Sequence, residues 1–184
     1  LLLDIRGKQE AIGREFYRDY RNSREKLIKR IWLMNEERLS DPRTAVDAAQ
    51  KLVDRIVFAC FAEDRGLLPE KTLARLVRDA DESRFTTLWS TLRAFFNAVD
   101  RGSEKLDLPH GYNGGLFAED PLLDELKIGE NALRSILDLH KYDFVEDLSV
   151  TILGHIFEQS ITDLEELYAA ALDSAFLDTQ QLSQ

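Results

Sequence analysis

A single cysteine, one methionine, four prolines and three histidines among 184 residues leave little material for several kinds of site. One cysteine closes no internal disulfide, and Cys60 falls on an apolar helical stripe, so it reads as a small buried hydrophobe. No apolar run approaches the roughly 18 residues that a membrane-crossing helix needs. Leu1 to Leu3 give way at once to Asp4, Arg6, Lys8 and Glu10, so we expect no signal peptide in this stretch. We therefore expect a cytoplasmic chain without a membrane partner. Strand-like alternation of useful length is missing, and so is any internal repeat.

Basic charge is scarce as well. The net charge of -10 argues against a dedicated DNA-binding module, because neutralising phosphates takes clustered Lys and Arg. The charge is unevenly placed, however. Residues 6 to 30 hold nine basic side chains against four acidic ones, a local balance of +5, while the stretch from Ala118 onward holds fifteen acidic against three basic, a balance of -12. Such polarity predicts a basic end near nucleic acid and an acidic end away from it.

What is abundant is helical periodicity. With 44% hydrophobic and 32% charged residues the chain has material for a proper core. Ile5, Ile12, Phe16 and Tyr20, continued by Leu27, Ile28, Ile31 and Trp32, predict one long helix or two abutting ones over residues 1–40. Asp41-Pro42 breaks it. A helical core is expected over residues 44–176. Its first helix carries Val53, Ile56, Val57, Cys60 and Phe61 and ends at Gly66. A shorter helix follows on Leu73, Leu76, Val77 and Ala80. The next, from about Glu82 to Val99, uses Phe85, Leu88, Trp89, Leu92, Phe95, Phe96 and Val99, aromatics that read as core rather than as a base-stacking platform. Residues 101–129 read as one long ordered loop holding at most a turn of helix. Helices resume near Glu130 to His140 and from about Val145 to Ser160, where Leu148, Ile152 and Ile156 pack with Val150, Leu153 and Phe157, and a weaker last helix spans Ile161 to Phe176. The expected fold is all-α, an irregular multi-helix bundle forming a single domain over residues 1–184.

Chemical motifs are mostly wanting. Asp120 with Glu125-Leu126-Lys127 imitates the tail of a nuclease signature, but the spacing is short and the setting is not a strand. His155 and Glu158 stand at i and i+3, enough for two metal ligands, yet His110 and His140 bring no matching carboxylate; a capping or hydrogen-bonded role fits His155 better, with Gly154 marking close helix packing. Ser135, Ser149 and Ser160 lack nucleophile-elbow glycines.

Two features stand apart. Asn113-Gly114-Gly115 can form a nest of backbone N–H groups for an anion, although a tight turn that plugs Leu116 and Phe117 into the core, with Tyr112 alongside, is the simpler reading. Arg14, Arg18, Arg21 and Lys29 on the first helix are candidate contacts to a DNA backbone, against the ordinary alternative of a solvated face.

The punctuation of HGYNGGLFAEDPLLDELKI and DFVEDLSVTILGHIFEQSITDLEE resembles one protein family. Asn113 to Phe117 and Leu153 to Ser160 are similar to segments upstream of the methylase in type IIG-like restriction-modification proteins and related phage-defence methylases, which carry a fused adenine-N6 DNA methyltransferase. The resemblance extends to Ile12 to Arg21 and Phe58 to Pro69. It implies a place in a larger enzyme: a non-catalytic helical spacer between an optional nuclease and the methylase. S-adenosylmethionine, and Mg²⁺ where a nuclease adjoins, would belong to that parent protein, as would contact with DNA. The Gly-rich cofactor turn and the Asn-Pro-Pro-aromatic tetrad of the methylase occur nowhere in this sequence, so no catalytic, cofactor or metal residue is assigned to it. Leu1 as first residue, Met34 as sole methionine and a polar tail without a capping signal lead us to expect a piece of a longer protein. The alternative is a free-standing acidic helical protein-interaction module.

Overall fold

The computed structural model describes residues 2–112 and 114–177, with side chains over the same span apart from residues 2–6, 174 and 175. It is all-α; among the described residues the sole β-type pairing is an isolated bridge between Ser103 and Leu108. No helix among them is long and apolar enough to cross a membrane.

Helix α1 runs over Leu2–Asn35, about 51 Å at 1.5 Å per residue. It ends on Asn35, whose buried side chain accepts from Lys127 N (2.9 Å) and donates to the carbonyls of Lys127 (2.8 Å) and Ile31 (2.7 Å), tying the helix terminus to a segment 92 residues away. Asp41 then turns the chain by accepting the Arg43 N–H at 2.9 Å.

Helix α2, Arg43–Asp64, is the central element and is buried on nearly every side, against α1, α7, α3 and the sixth helix. It closes with a Schellman pattern, Gly66 N donating to Glu63 O at 3.0 Å and Leu67 N to Ala62 O at 2.8 Å. Glu63 then accepts Leu73 N at 2.9 Å, satisfying an orphan donor in the first turn of α3, Thr72–Glu82. Helix α4, Leu88–Arg101, packs on α3 and starts from a capping box between Thr87 and Ser90.

That cap corrects the expected helix from Glu82. Phe85, placed on the core stripe by its three-residue spacing to Leu88, is 96% exposed, because Ser83 Oγ accepts from Phe85 N and Thr86 N and holds residues 83–87 outside either helix.

The long loop after α4 folds back on it. Tyr112 N donates to Val99 O at 2.7 Å, and the close approach demands Gly111: with φ +64°, a Cβ there would lie 2.3 Å from Asp100 O. The loop contains a 3-10 turn at Glu104–Leu106 and helix α5, Pro121–Glu125, capped by Asp120. Helix α6, Glu130–Leu137, runs on into a 3-10 turn through Lys141. Helix α7, Val150–Ala171, starts from Ser149, five residues after the expected Val145 because Asp143 Oδ1 accepts from Val145 N and Glu146 N and holds a turn there, and it is continuous through residues 161–171, so the weaker last helix expected there is not a separate element; a single turn, α8, follows at Ser174–Leu177. Val150 is 62% exposed rather than packed, since it precedes the first inward turn at Leu153 and Ile156.

Candidate functional site

A buried polar hub joins α1, α2 and α7. Tyr20 and Arg24 stand one turn apart on α1, Gln50 and Asp54 one turn apart on α2, and Ser160 and Asp163 one turn down α7. Arg24 is only 1% exposed; its Nη1 donates to Gln50 Oε1 (2.8 Å) and Ser160 Oγ (3.0 Å), and its Nη2 meets Asp163 Oδ2 at 3.3 Å. Tyr20 Oη and Ser160 Oγ share a hydrogen bond of 2.8 Å, and Gln50 Nε2 donates to Tyr20 Oη, Asp54 Oδ1 and Ser160 Oγ at 2.8, 2.9 and 3.0 Å. Tyr17 donates to Asp163.

Burial dominates the electrostatics here. It raises the Asp54 carboxyl against the opposing hydrogen bonds from Gln50 and Tyr20, and with the Asp54 charge it pushes the Tyr20 phenol up to about 12. Among buried side-chain polar atoms of the described residues, Arg24 Nε alone lacks a partner. A network of this kind fixes one relative placement of three helices, because any other would strand a buried charge.

Of the basic residues singled out in α1, only Arg21 reaches the hub. Arg14 is exposed and makes no side-chain ion pair among the described residues. Arg18 pairs with Asp19 (3.3 Å) and Glu15 (3.7 Å), Arg21 lies 3.7 Å from Asp163, and Lys29 Nζ sits 4.9 Å over the Phe176 ring. Helix α7 and the turn after α6 set Asp163 and Lys141 against α1, Lys141 pairing with Asp19 at 2.8 Å. Lys141 is the chief reason that the Asp19 carboxyl titrates below its ordinary range.

Asn113 lies outside the described residues. Gly114 and Gly115 are exposed; Gly115 takes φ +82°, and the Gly114 N–H is committed to Tyr112 O at 2.8 Å. The turn does seat its hydrophobic pair. Phe117 is buried between Phe58 and Phe96 (ring centroids 5.5 and 5.8 Å), Tyr112 packs edge-on to Phe58 at 5.8 Å, and Leu116 is half-buried. Arg55, inside the apolar run of α2, clamps this loop by donating from Nε to Leu116 O (2.8 Å) and from Nη2 to Ala118 O (2.7 Å).

Other candidates disperse. Asp120 pairs with Lys51 and Glu125 with Arg38, so the two carboxylates of the nuclease-like trio are engaged with different segments, and the Lys127 backbone N–H is held by Asn35. His155 is exposed and stands 3.6 Å from Glu158; Gly154 has no neighbour within 4 Å of a built Cβ, so the expected close packing and structural bond of His155 are not found. His140 Nδ1 contacts Leu137 O at 2.8 Å, Ser135 meets Ser23 at 3.1 Å, and Ser149 caps α7. No group of three or more His, Cys, Asp or Glu among the described residues is placed to hold a metal ion. Cys60 is buried, and burial pushes its thiol well above its usual range.

The buried Arg24, Asn35 and Arg55 and the half-buried Gln50 and Asp54 escaped the sequence reading. The signal for Arg24 was its position four residues beyond Tyr20 and eight beyond Phe16, on the buried stripe. No protein-family model matches the chain, and neither a curated protein nor a solved structure matches it.

Proposed function

We propose that this chain is the non-catalytic helical connector of a type IIG-like restriction-modification protein, holding an adenine-N6 DNA methyltransferase at a set distance from a nuclease or regulatory module. The observation that carries the reading is convergence. The four segments on which the resemblance rests, scattered from Ile12 to Ser160, meet around α2: Tyr20 bonds Ser160, Phe58 packs against Tyr112 and Phe117, and Phe58 and Phe61 face Leu153 and Phe157 across one groove. Residues with that arrangement serve a shape. Stiffness is what a spacer needs, since two active centres act at a constant offset only when the element between them does not bend. The α1–α2–α7 hub and the Arg55 and Asn35 clamps supply it by burying groups that no other packing satisfies.

In this reading S-adenosylmethionine, and Mg²⁺ where a nuclease adjoins, act in the parent protein. DNA runs near the N-terminal helix, with Arg14 and the partly paired Arg18, Arg21 and Lys29 against the phosphates. Sequencing the reading frame around the chain tests it. A Gly-rich cofactor turn and an Asn-Pro-Pro-aromatic tetrad are expected downstream; a stop codon directly after Gln184 would overturn the connector and favour the acidic interaction module. One observation speaks for that second reading, an apolar groove of about 250 Å³ between α2 and α7 lined by Phe58, Phe61, Val150 and Phe157.

A further inference from the structure

A cleft of about 290 Å³ opens between α4, α5 and the Gly115–Ala118 loop, and Arg55 forms part of its wall. Arg55 is 2% exposed, yet it has no carboxylate within ion-pair distance among the described residues. Its guanidinium lies 5.2 Å from the Phe96 ring centroid and spends the Nε–Nη2 edge on two loop carbonyls. Nη1 makes no hydrogen bond among the described residues and is not one of the buried unpaired atoms, so it is the end of the guanidinium left open in the cleft. The carboxylates that act on Arg55 from a distance, Asp120, Asp124 and Asp100, do not touch it, and two of them are engaged elsewhere: Asp120 with Lys51 and Asp124 with Arg93 (3.4 Å). Charges this deep are ordinarily paired with an opposite charge as well as hydrogen-bonded, and Arg55 has only neutral carbonyls and an aromatic ring.

We propose that this cleft binds a small monoanionic ligand of the carboxylate class, gripped at its carboxylate by the free end of the Arg55 guanidinium. A planar fork with one edge anchored is preorganised for an oxyanion on the other. The Phe96 and Phe117 rings offer an apolar surface to the ligand body, and Asn97 and Arg93, the latter 3.4 Å from Asp124, also line the cleft. Glu119, paired with Arg101 at 3.0 Å, and Asp124, paired with Arg93, line the same cleft, and their carboxylates disfavour a dianion more than a monoanion. The volume, at the lower end for ligand pockets, suits a small organic acid. The inference stands independently of the connector reading.

Titration of isotopically labelled protein with sodium propionate, inorganic phosphate and sodium chloride at constant ionic strength tests it, read by NMR at Arg55 Nε–H and at the amides of Leu116 and Phe117. Propionate should give saturable shifts, chloride none, and phosphate weaker ones. Arg55→Met should lose at least ~10-fold in propionate affinity, the loss of one charge-assisted contact. Should that variant not fold, Arg93→Gln, altered at a half-exposed position, decides the matter: a several-fold weakening is expected, and unchanged affinity overturns the site. Shifts that rise linearly without saturating, that chloride reproduces, or that phosphate produces more strongly than propionate would overturn it too.

Discussion

Ser160 Oγ lies 2.8 Å from Tyr20 Oη, across 140 residues of sequence, and the same hydroxyl oxygen takes hydrogen bonds from Arg24 and Gln50. One small side chain on α7 therefore closes the junction of three helices. Ser160→Ala leaves Arg24 and Gln50 short of an acceptor in a buried site and should cost about 1–3 kcal/mol in urea unfolding. The double change with Tyr20→Phe should cost less than the two singles summed, because both remove the same bond. Additive losses would mean that the hub is not a unit.

Asp54 gives the hub a defined pH response. Its folded-state carboxyl titrates above the ordinary 3.8, so between that value and the raised one the native state binds more protons than the unfolded chain, and stability falls as pH rises through the window. Asp54→Asn keeps an acceptor for Gln50 and removes the effect. The variant should match the wild type near pH 3.5 and exceed it in stability at pH 7; an unchanged difference across that range would contradict the assignment. Asp19, lowered by Lys141, works with the opposite sign, its contribution present above 3.8 and lost on acidification.

Two glycines should respond in opposite directions. Gly111→Ala places a Cβ 2.3 Å from Asp100 O at φ +64° and should destabilise by more than ~2 kcal/mol. Gly154→Ala, in the middle of α7 with open space around it, should stabilise by about 0.5–1 kcal/mol. Thermal unfolding of the pair against wild type measures both.

A gel-shift titration at low and moderate salt examines α1 as a DNA-backbone contact. Changing Arg14, Arg18 and Arg21 together to Glu should weaken binding uniformly across sequences and flatten the salt dependence by roughly 0.9 per lost contact on a log–log plot. Binding that persists with the same slope would remove α1 from the DNA path.

Phe117→Ala should cost about 3–5 kcal/mol, since it empties a place between Phe58 and Phe96 and loosens the loop that Arg55 holds. Chemical denaturation checks the loss. A cost below about 1 kcal/mol would mean that the loop is not anchored through its aromatic plug.

The amino-acid order by itself determined the helices and their apolar faces, because a 3.6-residue period is a local property: the stripe of Phe16 and Tyr20, the α2 core around Ile56 and Cys60, and the α4 run from Trp89 to Val99 were all legible. It also marked the turn that seats Phe117. Its lapses at helix ends have local causes, since the Thr87–Ser90 cap outranked the spacing of Phe85, the Asp143 turn delayed the start of α7 to Val150, and α7 then ran through a stretch of weak periodicity. What the tertiary structure alone decided is which polar residues face inward. Arg24, Asn35, Gln50, Asp54 and Arg55 look like solvent-facing side chains in a linear reading; Arg24, Asn35 and Arg55 are buried and Gln50 and Asp54 half-buried because partners from 26 to 136 residues away, Gln50 and Ser160 for Arg24 and Tyr20 for Asp54 among them, hydrogen-bond to them. Partnership at that separation is a property of packing, and no local pattern encodes it.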